Sequence, residues 1–237
     1  MKECVVDSGK ILVSPVNWDS TDWLKAGLVF GATTGIYFAD SEIRKTTQKN
    51  RSPFLDNTSK IGEVLGNPVY SVPSLGIYYL YANANYDSKA RRTSLLALES
   101  VAISGALTMT LKLATQRPRP FTGEASTVWD GPGIRNLNSA FPSAHTQTAF
   151  SLASVIVEEY SNIRYLAPIA YGLASFVGIS RVYDDKHWGS DVFLGAALGY
   201  FVGKSVVKYH SNQGDAALTF IPSVRQNGFE LSVKYRF

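Results

Sequence analysis

The 237-residue sequence predicts a mostly α-helical protein, a compact bundle of helices followed by a C-terminal β-hairpin. Apolar residues make up 45% of the chain and recur at helical spacing over most of its length. Small residues are frequent in the later helical segments, where they let helices pack closely. The last nine residues instead alternate between apolar and polar side chains, a pattern typical of a half-buried strand.

The individual helices are predicted from their caps and their apolar spacing. Residues 1–20 lack helical periodicity and are expected to form an extended segment. Asp19 or Ser20 can cap a first helix, whose apolar residues begin at Trp23. Residues 40–60 are polar and charged, which predicts a surface connection or a short helix. Further helices are expected at about residues 73–84, 90–115, 143–160, 163–179 and 189–208.

Proline and glycine mark the main breaks between these elements. Residues 117–142 contain seven of them, which predicts a long loop of the kind that often carries function. Near the C-terminus, the Asn227-Gly228 pair is a hairpin turn signal between two strand-like segments. The predicted organisation is therefore an extended segment 1–20, a helical domain 21–210 and a β-hairpin 216–237.

Composition excludes several classes of protein. The net charge is only +4 and no run of five like charges occurs, so no nucleic-acid partner is expected. The apolar content excludes intrinsic disorder. The single cysteine, Cys4, cannot form an internal disulfide. No apolar run precedes it, so we expect no signal peptide in the sequence as given.

The apolar segments also bear on membrane insertion. Residues 93–111 are long and apolar enough to cross a bilayer, with Glu99 as their single charge. Residues 192–203 are too short for a straight span, and residues 165–180 are interrupted by Pro168. We therefore expect a soluble globular protein, with at most peripheral membrane contact, rather than an integral membrane protein. Glu99 is then the polar edge of a soluble helix.

Three short blocks combine groups that suit a phosphate: cations, a hydroxyl, a helix start and histidines. In the first block, Lys112 ends the long apolar helix and Arg119 follows in the loop, stiffened by Pro120. In the second block, Ser143 follows a proline at a helix start, where backbone N–H groups point at an anion. His145 lies one step inside that turn.

The third block pairs an imidazole with a carboxylate. His187 and Asp191 are four residues apart, so they share a face if both lie in one helical turn. A carboxylate beside an imidazole fixes its tautomer and presents the other nitrogen as a nucleophile or base. Arg181, in the same block, offers a planar fork that matches phosphate oxygens.

Together the blocks resemble the signature of the type 2 phosphatidic acid phosphatase superfamily, which also contains bacterial acid phosphatases and vanadium haloperoxidases. The family pattern is K-x6-RP, PSGH and SR-x5-H-x3-D, and the sequence departs from it once, with Ala144 in place of glycine. The matching span, residues 112–191, is about a third of the chain. Alanine has little effect at this position if only its backbone N–H binds the phosphate. It strains the backbone if the position requires a positive φ.

The resemblance implies a helical bundle and a metal-independent phosphatase that forms a phosphohistidine. His187 is then the nucleophile, Asp191 orients it, and His145 protonates the leaving alkoxide and later activates water. No metal or cofactor is expected, and vanadate is expected to inhibit. The residues implied in phosphate binding are Lys112, Arg119, Ser143, Ala144 and Arg181.

The resemblance leaves the substrate open between a lipid phosphate such as phosphatidic acid, an isoprenoid diphosphate and a soluble phosphomonoester. The alternatives are a vanadium-dependent haloperoxidase and, in another class, a catalytically inactive envelope protein that works through its hairpin. Family members without full spans are commonly exported, which implies a periplasmic or cell-envelope location. The oligomeric state is not predicted.

Other residues near the blocks are interpreted from their local setting. His210, near a helix C-terminus, is expected to be structural. Arg117 lies at the wrong spacing for the signature and is not expected to contact substrate. Residues 184–186 form either a solvated loop or a loop that selects substrate or supplies an extra charge partner. Trp129 and Trp188 either line an apolar entrance or pack in the core.

Overall fold

A computed structural model describes residues 18–134 and 139–211, together with the backbone of residues 217–225 and 228–236. These residues contain seven α-helices and a short 3-10 turn at Pro120–Thr122. The helices are α1 (Ser20–Lys49), α2 (Pro53–Gly66), α3 (Pro68–Ala84), α4 (Ser88–Thr115), α5 (Ala144–Glu159), α6 (Leu166–Tyr183) and α7 (Gly189–Ser211).

Side-chain caps set several of the helix starts. The Asp19 carboxylate accepts a hydrogen bond from the N–H of Asp22 at 2.9 Å, so the predicted cap of α1 is confirmed. Ser52 caps α2 in the same way, immediately before Pro53 at the first helical position. Each cap satisfies a backbone donor that the helix itself leaves unpaired.

The polar stretch 40–60 is not a surface connection. Helix α1 continues through it to Lys49, and α2 begins four residues later, at Pro53. Its polar side chains are used at the end of α1, where Gln48 and Arg51 donate hydrogen bonds to the carbonyl of Tyr183 at 3.0 and 3.2 Å. These residues attach α1 to the end of α6.

Small and polar side chains fill the centre of the bundle, where α5 packs against α4, α6 and α7. The hydroxyls of Ser100 and Ser151 lie 2.5 Å apart in a hydrogen bond between α4 and α5. On α7, a Cβ at Gly199 would collide with the carbonyl oxygen of Gln147, and one at Gly203 would lie 2.7 Å from Ser154. The helices therefore approach closely because their contact positions are small.

Large apolar side chains lie on the outside of the bundle instead. Phe30 and Phe38 on α1 are 75% and 79% exposed, and Ile77 on α3 and Ile169 on α6 are 68% and 59% exposed. A soluble monomer rarely exposes so much apolar surface. Inside, small polar residues lie beside a buried apolar cluster that includes Leu96, Val155 and Val206. This interior, combined with many large apolar side chains on the outside, is the distribution that a lipid environment favours.

Three helical segments are long and apolar enough to cross a membrane: Ser88–Thr122, Leu166–Tyr183 and Gly189–Ser211. The preference for a soluble protein is therefore corrected. Pro168 does not interrupt the second segment, because it lies in the first turn of α6, where proline is tolerated. The third segment extends well beyond the predicted 192–203, because α7 runs from Gly189 to Ser211.

At the C-terminal end, the backbone of β1 (Ala217–Arg225) pairs antiparallel with that of β2 (Gly228–Arg236), with Arg225 opposite Gly228. The predicted extended segment 1–20 falls almost entirely outside the described residues. The described part of the Pro- and Gly-rich loop contains no helix longer than the turn at Pro120–Thr122.

Candidate active site

Four helix ends meet at one end of the bundle: the C-termini of α4 and α6 and the N-termini of α5 and α7. Each signature block lies at one of these ends or in the loop beside it. Five signature residues line a common cavity of about 370 Å³ together with other residues of α3, α4 and α5. These five are Lys112, Arg119, Ala144, His145 and His187.

The first block supplies two cations on the α4 side. Lys112 is buried near the end of α4, and its Nζ donates a hydrogen bond to the carbonyl oxygen of Ser139. Helix α4 ends where Gln116 adopts the left-handed conformation, with φ of 48°. The chain then reverses, so that Arg119 comes back to the same cavity.

The third cation comes from the end of α6. Arg181 is 2% exposed, and its guanidinium donates to the Asp184 carboxylate at 2.8 Å and to the carbonyl of Ser59 at 3.3 Å. Glu63 lies 3.8 Å away on α2. Asp184 is therefore not simply part of a solvated loop: it is the charge partner that holds Arg181 in place.

The second block forms the start of α5. Ser143 caps the helix, and its own N–H donates to the carbonyl oxygen of Asp191 at 2.9 Å. Ala144 is the first helical residue and is not among the three described non-glycine residues with positive φ. Alanine therefore fits this position without backbone strain, and its N–H stays available to an anion.

His187 is held by the backbone rather than by Asp191. Its Nδ1 lies 2.7 Å from the carbonyl oxygen of Ala140, which can only accept, so Nδ1 carries the proton and Nε2 has a free lone pair. Asp191 lies 3.8 Å from Nδ1, too far for a hydrogen bond. The expected shared helical turn is not formed, because His187 precedes α7. The carbonyl of Ala140 is the hydrogen-bond partner of Nδ1, and an orienting role for Asp191 stays a prediction.

Both carboxylate oxygens of Asp191 are bound elsewhere. Oδ2 accepts the N–H of Trp188 at 2.7 Å, and Oδ1 accepts a hydrogen bond from Arg117 at 2.6 Å. Arg117 is fully buried, and sequence reasoning missed its role because it lies two residues before the signature arginine. Trp129 and Trp188 pack against the Arg117 guanidinium, which confirms the core interpretation for Trp188, 2% exposed.

Burial favours the uncharged form of both signature histidines. Burial lowers the pKa of His145 to about 3, with nearby Arg181 adding to the effect. Burial also lowers the pKa of His187 well below 6.5, assisted by Lys112 and Arg119. A neutral imidazole with a free Nε2 lone pair is the form that can attack phosphorus. Among the described residues, Nε2 of His145 has no hydrogen-bond partner.

The third histidine lies away from this site. His210, near the end of α7, forms a hydrogen bond of 2.9 Å with the carboxylate of Glu99 on α4. Both side chains are 13% exposed, so Glu99 is not the solvated edge of a soluble helix. The pair joins α4 and α7, which agrees with a structural role for His210.

Comparison with known proteins identifies the family of the chain. The family model of the PAP2 superfamily matches residues 93–215. The chain is 45% identical over 67 residues, 28% of its length, to lipid A 1-phosphatase of Porphyromonas gingivalis. It is 30% identical over 181 residues, 63% of its length, to lipid phosphate phosphatase 1 of Arabidopsis thaliana. The chain covers 15% and 54% of the lengths of these two relatives.

Two solved structures share the fold. LpxE of Aquifex aeolicus has a TM-score of 0.56 at 22% identity, over 72% of this chain and 95% of its own. The transmembrane PAP2 type phosphatidylglycerolphosphate phosphatase of Bacillus subtilis has a TM-score of 0.60 at 23% identity, over 79% of this chain and 96% of its own. The helical bundle is therefore an established architecture for chains of this type.

Proposed function

Because the chain belongs to the PAP2 superfamily, we propose that it is a membrane-embedded phosphatase that hydrolyses a lipid phosphate. The observation that carries the proposal is the shape of the cavity, which joins the phosphate-binding cations to an apolar channel between helices. The names of the lipid phosphatases that it resembles support the same reaction class.

The cavity extends far below the cations. Its lining includes Lys112 and Val101 on α4, eleven residues apart, which corresponds to about 16 Å along a helix. Gly105 and Met109 line the stretch between them. All four residues belong to a helical segment that is apolar enough to cross a membrane. A leaving group with a hydrocarbon chain can extend into this space, whereas a small soluble phosphomonoester would leave most of it unused.

The proposed reaction has two steps. Nε2 of His187 attacks phosphorus, the bond from phosphorus to the lipid oxygen breaks, and His145 donates a proton to the departing oxygen. Water then attacks the phosphohistidine as His145 takes its proton, and the P–N bond breaks. Lys112, Arg119 and Arg181 offset the charge of the phosphate oxygens in both steps.

Substrate binding allows His145 to act as the general acid. Burial, with the three cations adding to the effect, lowers the pKa of His145 to about 3. A bound phosphate brings negative charge among those cations, which raises the pKa of His145 and lets it hold a proton. The proposed mechanism needs no metal ion, because the cations supply the charge that a metal supplies in other phosphatases.

The proposed location follows from the position of the site in the bundle. Lys112, Arg181 and His187 lie at or beside the ends of the three membrane-length segments rather than at their centres. In the proposed enzyme the phosphate is bound at one membrane surface and the lipid chain lies in the bilayer. We propose that this surface is the periplasmic one.

Filling the apolar channel tests the substrate class. No atom lies within 4 Å of a Cβ built at Gly105, so leucine there would occupy the cavity without a backbone collision. Displacing two or three methylene groups of the lipid, at about 0.8 kcal/mol each, should raise KM for phosphatidic acid about 30-fold. Hydrolysis of nitrophenyl phosphate should change less than about twofold, since its leaving group does not reach Gly105.

Gly172→Leu on α6 is the matched control, because its Cβ also meets open space and Gly172 does not line the cavity. Both substrates are assayed in detergent, with and without chelator. If Gly105→Leu reduced the hydrolysis of both substrates equally, the argument for a lipid chain in the cavity would fail. A wild-type enzyme that hydrolyses neither substrate would overturn the phosphatase itself, and loss of activity in chelator would overturn metal independence.

A further inference from the structure

A buried ionic cluster lies behind His187, on the side away from the catalytic cavity. Its members are Asp40 of α1, Arg117 of the loop, and Ser190 and Asp191 of α7, all of them 0% exposed. Of these residues the signature includes only Asp191. The side chains of Asp40 and Arg117 do not line the catalytic cavity.

Arg117 bridges the two carboxylates. Its Nη1 donates to Oδ1 of Asp191 at 2.6 Å and its Nη2 donates to Oδ2 of Asp40 at 2.7 Å. Asp40 in turn accepts the backbone N–H of Ser190 at 2.9 Å and the hydroxyl of Ser190 at 2.6 Å. A carboxylate of α1 thus caps the start of α7 and holds the arginine that holds Asp191.

Three aromatic rings surround the same guanidinium. The Cζ atom of Arg117 lies 5.1 Å from the ring centre of Tyr37, 4.8 Å from that of Trp129 and 5.3 Å from that of Trp188. These contacts are within the range of cation–π attraction. They keep water from Arg117, so its ion pairs act through a medium that screens charge poorly.

The cluster contacts the backbone that holds His187 and includes the carboxylate nearest to its ring. The backbone carbonyl of Arg117 accepts the N–H of Ala140 at 2.7 Å, and the carbonyl of Ala140 accepts Nδ1–H of His187. On the other side, Asp191 lies 3.8 Å from the same Nδ1. A displacement of Arg117 would therefore shift His187 in two ways, through the main chain of Arg117 and through its side chain.

The formal charges of the cluster give it an electrostatic role. Two carboxylates and one guanidinium leave one net negative charge behind an imidazole whose other side faces Lys112 and Arg119. When Nε2 carries the phosphoryl group and Nδ1 keeps its proton, the imidazole ring is cationic. A net negative charge behind it stabilises that state relative to the neutral ring.

We propose that Asp40 and Arg117 are positioning residues for the nucleophile, which fix Asp191 and supply the negative charge that stabilises the phosphorylated His187. This inference rests on the proposed function. It assigns a role in catalysis to a residue of α1, more than fifty positions before the region that matches the family.

The test is the isosteric variant Asp40→Asn, which keeps the shape and removes the charge. The loss of an orienting partner should lower kcat by about 10- to 100-fold, as it does for outer-shell partners of metal-bound histidines. KM should change less than about threefold, because Asp40 does not touch the phosphate site. In rapid-quench experiments with ³²P-labelled phosphatidic acid, label should appear on His187 more slowly by the same factor.

Glu42→Gln is the matched control, a carboxylate two residues away on α1 whose side chain is 76% exposed. Arg117→Lys is a second variant, which keeps the positive charge but cannot bridge both carboxylates, and it should also lower kcat with KM preserved. An Asp40→Asn enzyme with wild-type kcat would overturn the inference. Failure of both variants to fold would also overturn it, in favour of a purely structural cluster. Absence of labelled His187 in the wild type would instead overturn the proposed reaction.

Discussion

Gly195 offers a direct test of how tightly α7 holds the start of α5. A Cβ built at Gly195 would lie 2.5 Å from the carbonyl oxygen of Ser143, where ordinary contacts begin at 3.4 Å. Alanine at this position must therefore push Ser143 and α7 apart by about 0.9 Å. The contact is with backbone, and the same carbonyl already accepts the N–H of Gln147, so no side-chain rotation can relieve it.

The displaced residue caps α5 immediately before Ala144 and His145. A misplacement of about 1 Å in a catalytic group can cost about 100-fold in rate. We expect Gly195→Ala to lower kcat/KM by about 10- to 100-fold on phosphatidic acid and nitrophenyl phosphate alike, since both need the phosphate site. Gly172→Ala, with no atom within 4 Å of its Cβ, should keep wild-type activity.

Thermal unfolding of the two variants separates local displacement from loss of fold. Alanine in place of a mid-helix glycine stabilises a helix by up to about 1 kcal/mol when space allows, so Gly172→Ala should unfold at or slightly above the wild-type temperature. Wild-type activity in a Gly195→Ala enzyme that unfolds normally would refute the close approach of α7 to Ser143.

Two further predictions concern the histidines. His145→Gln should slow alkyl phosphates by about 10²- to 10⁴-fold but nitrophenyl phosphate much less, because a good leaving group needs no proton; equal losses would refute the acid role. Since burial lowers the pKa of His145 to about 3, protonation below pH 6.5 favours the unfolded chain. Lowering the pH from 6.5 to 5 should therefore reduce the free energy of unfolding by up to about 2 kcal/mol on account of His145. Chemical unfolding in one detergent at both pH values checks this, and a His145→Gln variant with the wild-type pH dependence would contradict it.

The sequence predicts the helices well where their signals are local. Asp19 and Ser143 cap helices at the expected positions, since a cap depends on a few neighbouring residues. The membrane character does not follow from the apolar runs alone, because the length of a span depends on where its helix begins and ends. Pro168 lies in the first turn of α6, where proline does not break a helix. The outward direction of Phe30 and Phe38 depends on tertiary packing.

The spacing of the three signature blocks predicts which side chains form the candidate site, but not what holds them in place. The structure brings Lys112, Arg119, His145 and His187 to one cavity, as the three blocks imply. The partner of His187 was not predictable, because the carbonyl of Ala140 carries no side-chain signal. Asp40 is not predictable either, since it lies 77 residues from Arg117 and is one of many polar residues in the stretch 40–60.

The same polar contacts that complete the site also attach α1 to the bundle. In a bilayer, lipid is as apolar as leucine, so helices associate through close packing and hydrogen bonds rather than through the hydrophobic effect. Helix α1 is held near its C-terminal end by Asp40 and by the ion pair of Arg44 with Asp185 at 2.7 Å. Toward its N-terminal end, a groove of about 1040 Å³ separates it from α7. Asp40 therefore contributes both to the attachment of α1 and to the placement of Asp191. A change that loosens α1 at Asp40 should reach the nucleophile without altering any signature residue.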